Sequence, residues 1–225
     1  EWIANSQHLG ENMEGDTVLK HLREAGVIAI LRGEDTDRLY HRGIELAEMG
    51  CTAIEVTLDS PNALEIVGRL RHELGYDVMR GVGTLLNLEQ VTDCREAGAE
   101  FTLSPINPKG MVDCCHEAGL LAVPGVANTS ELEEVIGQGA LIAKLFPSTN
   151  WSPDELSGVN IPWMPVGGVD AENLWNWLNA GAWCVGMGTH LCGSDLNGGE
   201  DGWTQDEQQQ ARGIFMELQR RRLDA

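Results

Sequence analysis

Short apolar runs separated by longer stretches of mixed polarity recur along the chain. Six of the runs follow a pair ending in glycine: Ala25-Gly26, Met49-Gly50, Ala97-Gly98, Ala118-Gly119, Gln138-Gly139 and Ala180-Gly181. Glycine after a polar, helix-like stretch is a left-handed C-terminal cap, because it lacks the Cβ that would clash there. The runs that follow are β-leaning and cover residues 27–32, 53–58, 101–105, 121–126, 141–147 and 182–188. Two more, at 79–84 and 162–168, bring the set to eight strands.

The stretches between them carry helix-start signals. Asp35-Thr36-Asp37 precedes an amphipathic stretch to Met49, and Ser60-Pro61 offers proline to a first helical turn. Asn87, Thr129 before Glu131, and Asp170 before Glu172 read as N-caps. Strands alternating with helices of this length predict parallel βαβ units. Eight of them predict an α/β chain folded as a (β/α)8 TIM barrel, with an open doubly wound sheet as the competing arrangement. No linker or low-complexity segment breaks the pattern, so residues 1–225 are read as one domain. An extra N-terminal helix at about 15–25 leads into the barrel at about 26–225. A last helix, Gln205–Leu223, follows the turn at Gly198-Gly199.

Composition narrows the function classes. The chain has 225 residues, of which 42% are hydrophobic, enough for a sizeable core. No apolar run approaches the roughly 18 residues a membrane span requires. The formal charge is −20. Such a surface repels phosphate backbones and anionic headgroups, so neither nucleic acid nor membrane is expected as a partner. The six cysteines include no C-x-x-C pair. With no charged-then-apolar leader either, the expectation is reduced thiols in a cytoplasmic protein. The six histidines show no H-x-H or H-E-x-x-H spacing, which disfavours a metal-dependent mechanism.

In a parallel barrel alternate side chains point inward, and the C-terminal strand ends carry the chemistry. Only three lysines occur, and one of them, Lys144, interrupts the apolar run Leu141-Ile142-Ala143-Lys144-Leu145-Phe146-Pro147. An ammonium buried there loses hydration, and the usual relief is a depressed pKa. A neutral amine is a nucleophile toward carbonyl carbon. The competing reading is a structural ion pair with Glu55. In Ala53-Ile54-Glu55-Val56-Thr57-Leu58 the aliphatic face should meet helices, which turns Glu55 inward as a candidate proton shuttle. Arg32 ends the first strand and offers a planar fork for a carboxylate. Glycine turns at Gly167-Gly168 and Gly186-Met187-Gly188-Thr189 close strands seven and eight, where backbone N–H groups can approach an anion.

At this point the chain resembles a known family, the 2-keto-3-deoxy-6-phosphogluconate / 4-hydroxy-2-oxoglutarate aldolases, from about Gly26 to Leu191. The stretches that carry the resemblance are Ile28-Ala29-Ile30-Leu31-Arg32-Gly33, Ile54-Glu55-Val56-Thr57-Leu58, Gly81-Val82-Gly83-Thr84 and Leu103-Ser104-Pro105. They continue through Val123-Pro124-Gly125-Val126, Lys144-Leu145-Phe146-Pro147-Ser148, Pro165-Val166-Gly167-Gly168-Val169 and Val185-Gly186-Met187-Gly188. Ile-Leu-Arg-Gly and Phe-Pro-Ser are most similar to the 2-keto-3-deoxy-6-phosphogalactonate branch.

The resemblance implies a class I aldolase that needs no cofactor or metal. Lys144 would form an imine with pyruvate, and Glu55 would be the general acid/base. Arg32 and Thr84 would hold the substrate carboxylate, while Pro105 and Phe146 line the pocket. Gly167, Gly168, Gly188 and Thr189 would bind a distal phosphate. The implied substrate is a small 2-keto-3-deoxy phospho sugar acid, and the implied assembly is a homotrimer. Asp59 stands where gluconate-type members commonly carry arginine, Val166 where many have threonine, and Thr189 where serine is usual. These departures bear on the substrate rather than on the imine. The alternatives are cleavage of 4-hydroxy-2-oxoglutarate to pyruvate and glyoxylate, or a non-catalytic barrel serving as a binding or scaffold protein.

Overall fold

The computed structural model describes residues 15–199 and 202–223. The first described element is helix α1 (residues 15–25). It continues through β1 (Val27–Leu31), α2 (Thr36–Glu48), β2 (Ala53–Thr57), α3 (Ala63–Leu74), β3 (Met79–Gly83) and α4 (Gln90–Glu96). Then come β4 (Phe101–Leu103), α5 (Met111–Glu117), β5 (Leu121–Val123), β6 (Gly125–Val126), α6 (Thr129–Gly137) and β7 (Ala143–Leu145). The chain ends with β8 (Trp163–Pro165), α7 (Leu174–Asn179), β9 (Val185–Met187), α8 (Thr189–Cys192) and α9 (Gln205–Leu223). All six glycines read as helix caps have positive φ: 72° at Gly26, 105° at Gly50, 91° at Gly98, 71° at Gly119, 81° at Gly139 and 105° at Gly181.

Every strand pairing is parallel, in a six-stranded sheet ordered β5-β4-β3-β2-β1-β9 and a three-stranded sheet ordered β6-β7-β8. The predicted fifth strand is thus two short ones. Pro124 has no N–H to give to a ladder, so β5 pairs with β4 before it and β6 pairs with β7 after it. Gly125 permits the switch, since a Cβ there would lie 2.5 Å from the Pro105 carbonyl group. A single bridge between Val166 and Gly186 links the three-stranded sheet to β9.

Strand alternation sorts side chains into two cores. Val27, Ala29, Leu31, Ile54, Val56, Ala143 and Leu145 face the helices. Ile28, Ala53, Met79, Phe101, Leu103, Ile142 and Met164 face inward, where Leu22 and Ala25 of α1 join them. The predicted α1 therefore closes one end of the sheet interior, and the Trp183 indole N–H donates to the Leu19 carbonyl at 2.7 Å.

Three helix starts differ from expectation. Asn128 rather than Thr129 caps α6, its side chain accepting from the Glu131 N–H. Pro61 lies in a turn before α3, and Asn62, with φ of 55°, precedes the first helical residue. Asn87 caps nothing, because its N–H donates to Gln90 Oε1 and α4 starts at Gln90. Asp170 does accept from the Glu172 and Asn173 N–H groups, in a turn ahead of α7.

One buried ion pair ties the last loop to the helical layer. Arg42 of α2 and Asp195 are 4% and 5% exposed and meet at 3.0 Å. The guanidinium also donates to the Cys192 carbonyl and lies 4.0 Å from the centre of the Trp203 ring. Asp195→Ala leaves that buried cation only the half-exposed Glu45 carboxylate, 3.1 Å from its Nε, and should cost about 1.5–3 kcal/mol, read as a lowered denaturation midpoint. An unchanged midpoint would contradict the buried pair.

Candidate active site

The C-terminal strand ends surround a cavity of about 430 Å³. All ten predicted site residues line it: Arg32, Glu55, Thr84, Pro105 and Lys144 toward one end, with Phe146, Gly167, Gly168, Gly188 and Thr189. They come from seven different strands or strand ends, so the parallel topology is what assembles them.

Lys144 sits mid-strand in β7 between the outward Ala143 and Leu145, so its side chain turns inward and is 5% exposed. Its Nζ lies 4.7 Å from the centre of the Phe146 ring. Burial pushes its pKa below the usual lysine value; the Glu55 charge opposes this and the Arg32 charge adds to it. Among the described residues no carboxylate comes within 4 Å of the amine, so the structural ion pair is not formed as a contact.

Glu55 is 1% exposed on the inner face of β2. Gly83 on β3 clears its space, since a Cβ there would overlap Glu55 Oε1, while a Cβ at Gly81 would overlap the neighbouring Phe101 ring. Glu55 Oε2 is buried with no hydrogen-bond partner among the described residues. Burial raises the carboxyl pKa, against the opposing charges of Lys144 and Arg32. The result is an acid and an amine that each resist charging, a pairing suited to proton transfer near neutral pH. Gly83→Ala should displace the carboxylate and lower stability by about 1–3 kcal/mol. The check is a crystal structure of the variant: an unmoved Glu55 would refute the steric argument.

Arg32 spans the pocket wall. Its Nη2 donates to Thr84 Oγ1 at 3.1 Å and its Nε to Thr57 Oγ1 at 3.4 Å. Thr84 holds φ of 63°, a left-handed conformation costly for a β-branched residue. That strain places its hydroxyl at the guanidinium rather than along the strand. Asp59, one of the departures from the family pattern, pairs with Arg32 Nε at 3.2 Å, both side chains being about half exposed.

The other end of the cavity is mainly backbone. Gly167 and Gly168 have φ of 78° and 90°. A Cβ on either would crowd Phe146 Cε2 or Thr149 Cγ2 at 2.9 Å. Ser148, which had no predicted role, pins this turn: its hydroxyl donates to the Gly167 carbonyl at 2.6 Å. Its N–H donates to the Val166 carbonyl at 2.8 Å. Sequence reading also missed Asn197, Leu196 and His190, which line the cavity from the last loop and α8. Only His190, next to Thr189, was visible by adjacency.

A family model for the KDPG and KHG aldolases matches residues 18–205. The 2-dehydro-3-deoxy-6-phosphogalactonate aldolase of Escherichia coli (strain K12) is 32% identical over 177 residues, covering 76% of this chain and 83% of the relative. A 2-dehydro-3-deoxy-phosphogluconate aldolase of Treponema pallidum (strain Nichols) is 28% identical over 165 residues, covering 70% and 78%. Among solved structures, a native KDPGal structure superposes with a TM-score of 0.75 at 27% identity, covering 88% of this chain and 96% of that one.

Proposed function

The chain belongs to the KDPG and KHG aldolase family, and on that premise we propose that this lyase cleaves a 2-keto-3-deoxy-6-phospho sugar acid to pyruvate and glyceraldehyde 3-phosphate through an imine on Lys144. The observation that carries the reading is the buried Lys144 amine, held below its usual pKa and left without a close carboxylate, in a pocket shared with Glu55 and Arg32. The identity to the phosphogalactonate relative supports that branch. We read the two sheets as arcs of one (β/α)8 barrel, joined through the Val166–Gly186 bridge and through the chain at Pro124.

In this mechanism the Lys144 nitrogen adds to the C2 keto carbon, and loss of water gives the imine. Arg32 and Thr84 hold the C1 carboxylate. Glu55 as carboxylate takes the C4 hydroxyl proton while the C3–C4 bond breaks and its electron pair enters the imine. The aldehyde leaves with the phosphate, which the Gly167, Gly168 and Gly188 backbone and the Thr189 hydroxyl hold until then. The remaining enamine takes a proton at C3 from Glu55, and water releases pyruvate and the free amine. No resident cofactor or metal enters any step.

The negative surface is consistent with a small-molecule enzyme of the cytoplasm with neither nucleic acid nor membrane as partner, and a homotrimer is the assembly we propose. Exposed Leu86, Leu88 and Ile106, on the loops after β3 and β4, supply apolar surface for it. The test of the chemistry is intact-mass analysis after borohydride reduction with pyruvate, followed by peptide mapping. One adduct on Lys144 is the expected result; a folded protein without an adduct refutes the imine.

A further inference from the structure

We infer that Asn197 is a positioning residue for the phosphate end of the substrate, acting through Thr189. The inference rests on the proposed substrate class and extends it to a residue outside the stretches that carry the family resemblance. Asn197 Nδ2 donates to Thr189 Oγ1 at 3.2 Å, and both residues line the cavity. A hydroxyl has one proton and two lone pairs. With one lone pair engaged by the amide, the proton stays free to be given away, and the hydroxyl is biased to donate toward the cavity. A phosphate accepts hydrogen bonds, so a committed donor is what that end of the site requires.

The amide is held in place by a chain of contacts that starts in the fold. Asn197 ends the short helical turn Ser194–Asn197. The same turn carries Asp195, fixed to Arg42 in the buried pair, and Arg38 also donates to the Asp195 carbonyl at 3.2 Å. The Leu196 carbonyl lies against Gly33, where a Cβ would overlap it. Gly33 directly follows Arg32, so one loop sets the spacing between the group proposed for the carboxylate and the group proposed for the phosphate. Neither Arg38 nor Arg42 lines the cavity, and both contact Asp195 instead.

The experiment is a double-mutant cycle of Asn197→Ala and Thr189→Val, assayed with 2-keto-3-deoxy-6-phosphogluconate, its galactonate epimer and unphosphorylated 4-hydroxy-2-oxoglutarate. Each single variant should raise KM for the phosphorylated substrate about tenfold, with kcat within about twofold. The two losses should not add, because the amide acts through the hydroxyl. The KM increase should be several-fold smaller for 4-hydroxy-2-oxoglutarate, which has no phosphate, whereas a merely structural role for the loop would impair all three substrates alike. Asn197→Ala with a wild-type KM, or a loss that persists in the Thr189→Val background, overturns the inference. A wild-type enzyme that forms the pyruvate adduct but cleaves neither phosphorylated substrate overturns the substrate reading itself, and the inference with it, before any variant is compared.

Discussion

Lys144→Met is expected to lose turnover by about 10⁴-fold or more while unfolding at a higher temperature than the wild type. The activity loss follows from removing the amine proposed to bond to the keto carbon; losses of this order are usual when a covalent nucleophile is deleted. The stability gain follows from the sign of the titration. Burial holds the folded-state pKa of Lys144 below its ordinary value of 10.5. Between the lowered value and 10.5 the unfolded chain binds more protons than the folded one, so stability rises with pH through that window. Below the window the penalty is complete. Methionine removes it, and replacing buried ionisable groups with apolar ones commonly stabilises by about 1–4 kcal/mol. In a chain of this size each kcal/mol moves Tm by roughly 2–4 °C. The gain should be largest at pH values below the lowered pKa and shrink as the buffer rises toward 10.5. Thermal melts at pH 7 and pH 10.5 check this; equal or lower melting of the variant at pH 7 would show that the buried amine carries no penalty.

Glu55→Gln is expected to lower kcat by about 10²–10⁴-fold while still forming the pyruvate adduct. Glutamine keeps the shape but can neither take the C4 proton nor return one to C3. The wild-type rate should also fall on the acid side at a pH above the usual carboxylate range, since burial raises the Glu55 pKa and the proposed mechanism begins bond cleavage with the base form. For stability the sign is opposite to that of the lysine. The folded state holds this proton more tightly than the unfolded chain, so stability falls as pH rises from the ordinary carboxylate value through the raised one. Glu55→Gln should flatten that decline. Stopped-flow formation of the adduct, steady-state pH profiles and melts between pH 4 and pH 8 separate the three claims. A variant with near wild-type kcat would move the proton transfer to another group.

Much of this was legible because it is local. The six glycine caps and the inward turn of Glu55 and Lys144 follow from spacing along a few residues, as does the final helix from Gln205 to Leu223. The caps Asn128 and Asn62 were misplaced because neighbouring polar residues compete for one backbone geometry, and pattern does not say which of them leaves the helix. The break at Pro124 was written in the chain, but a run that stays apolar across it reads as one strand until the partners on either side are known. Ser148 and Asn197 were missed as site residues for a different reason. Their roles depend on partners reached only through tertiary closure, as does the meeting of Arg42 with Asp195, 153 positions apart.

The helix that closes one end of the sheet interior also sets an order of events. Among the described residues, Leu22 and Ala25 join Ile142, Met164 and Cys184 in a buried inner core that fills that end. In the proposed mechanism the three-carbon fragment bound to the buried Lys144 would lie deeper than the departing aldehyde and share its doorway. Cleavage under this scheme is a queue: the aldehyde leaves first and pyruvate last. In the direction of synthesis the same doorway admits pyruvate before any aldehyde can react.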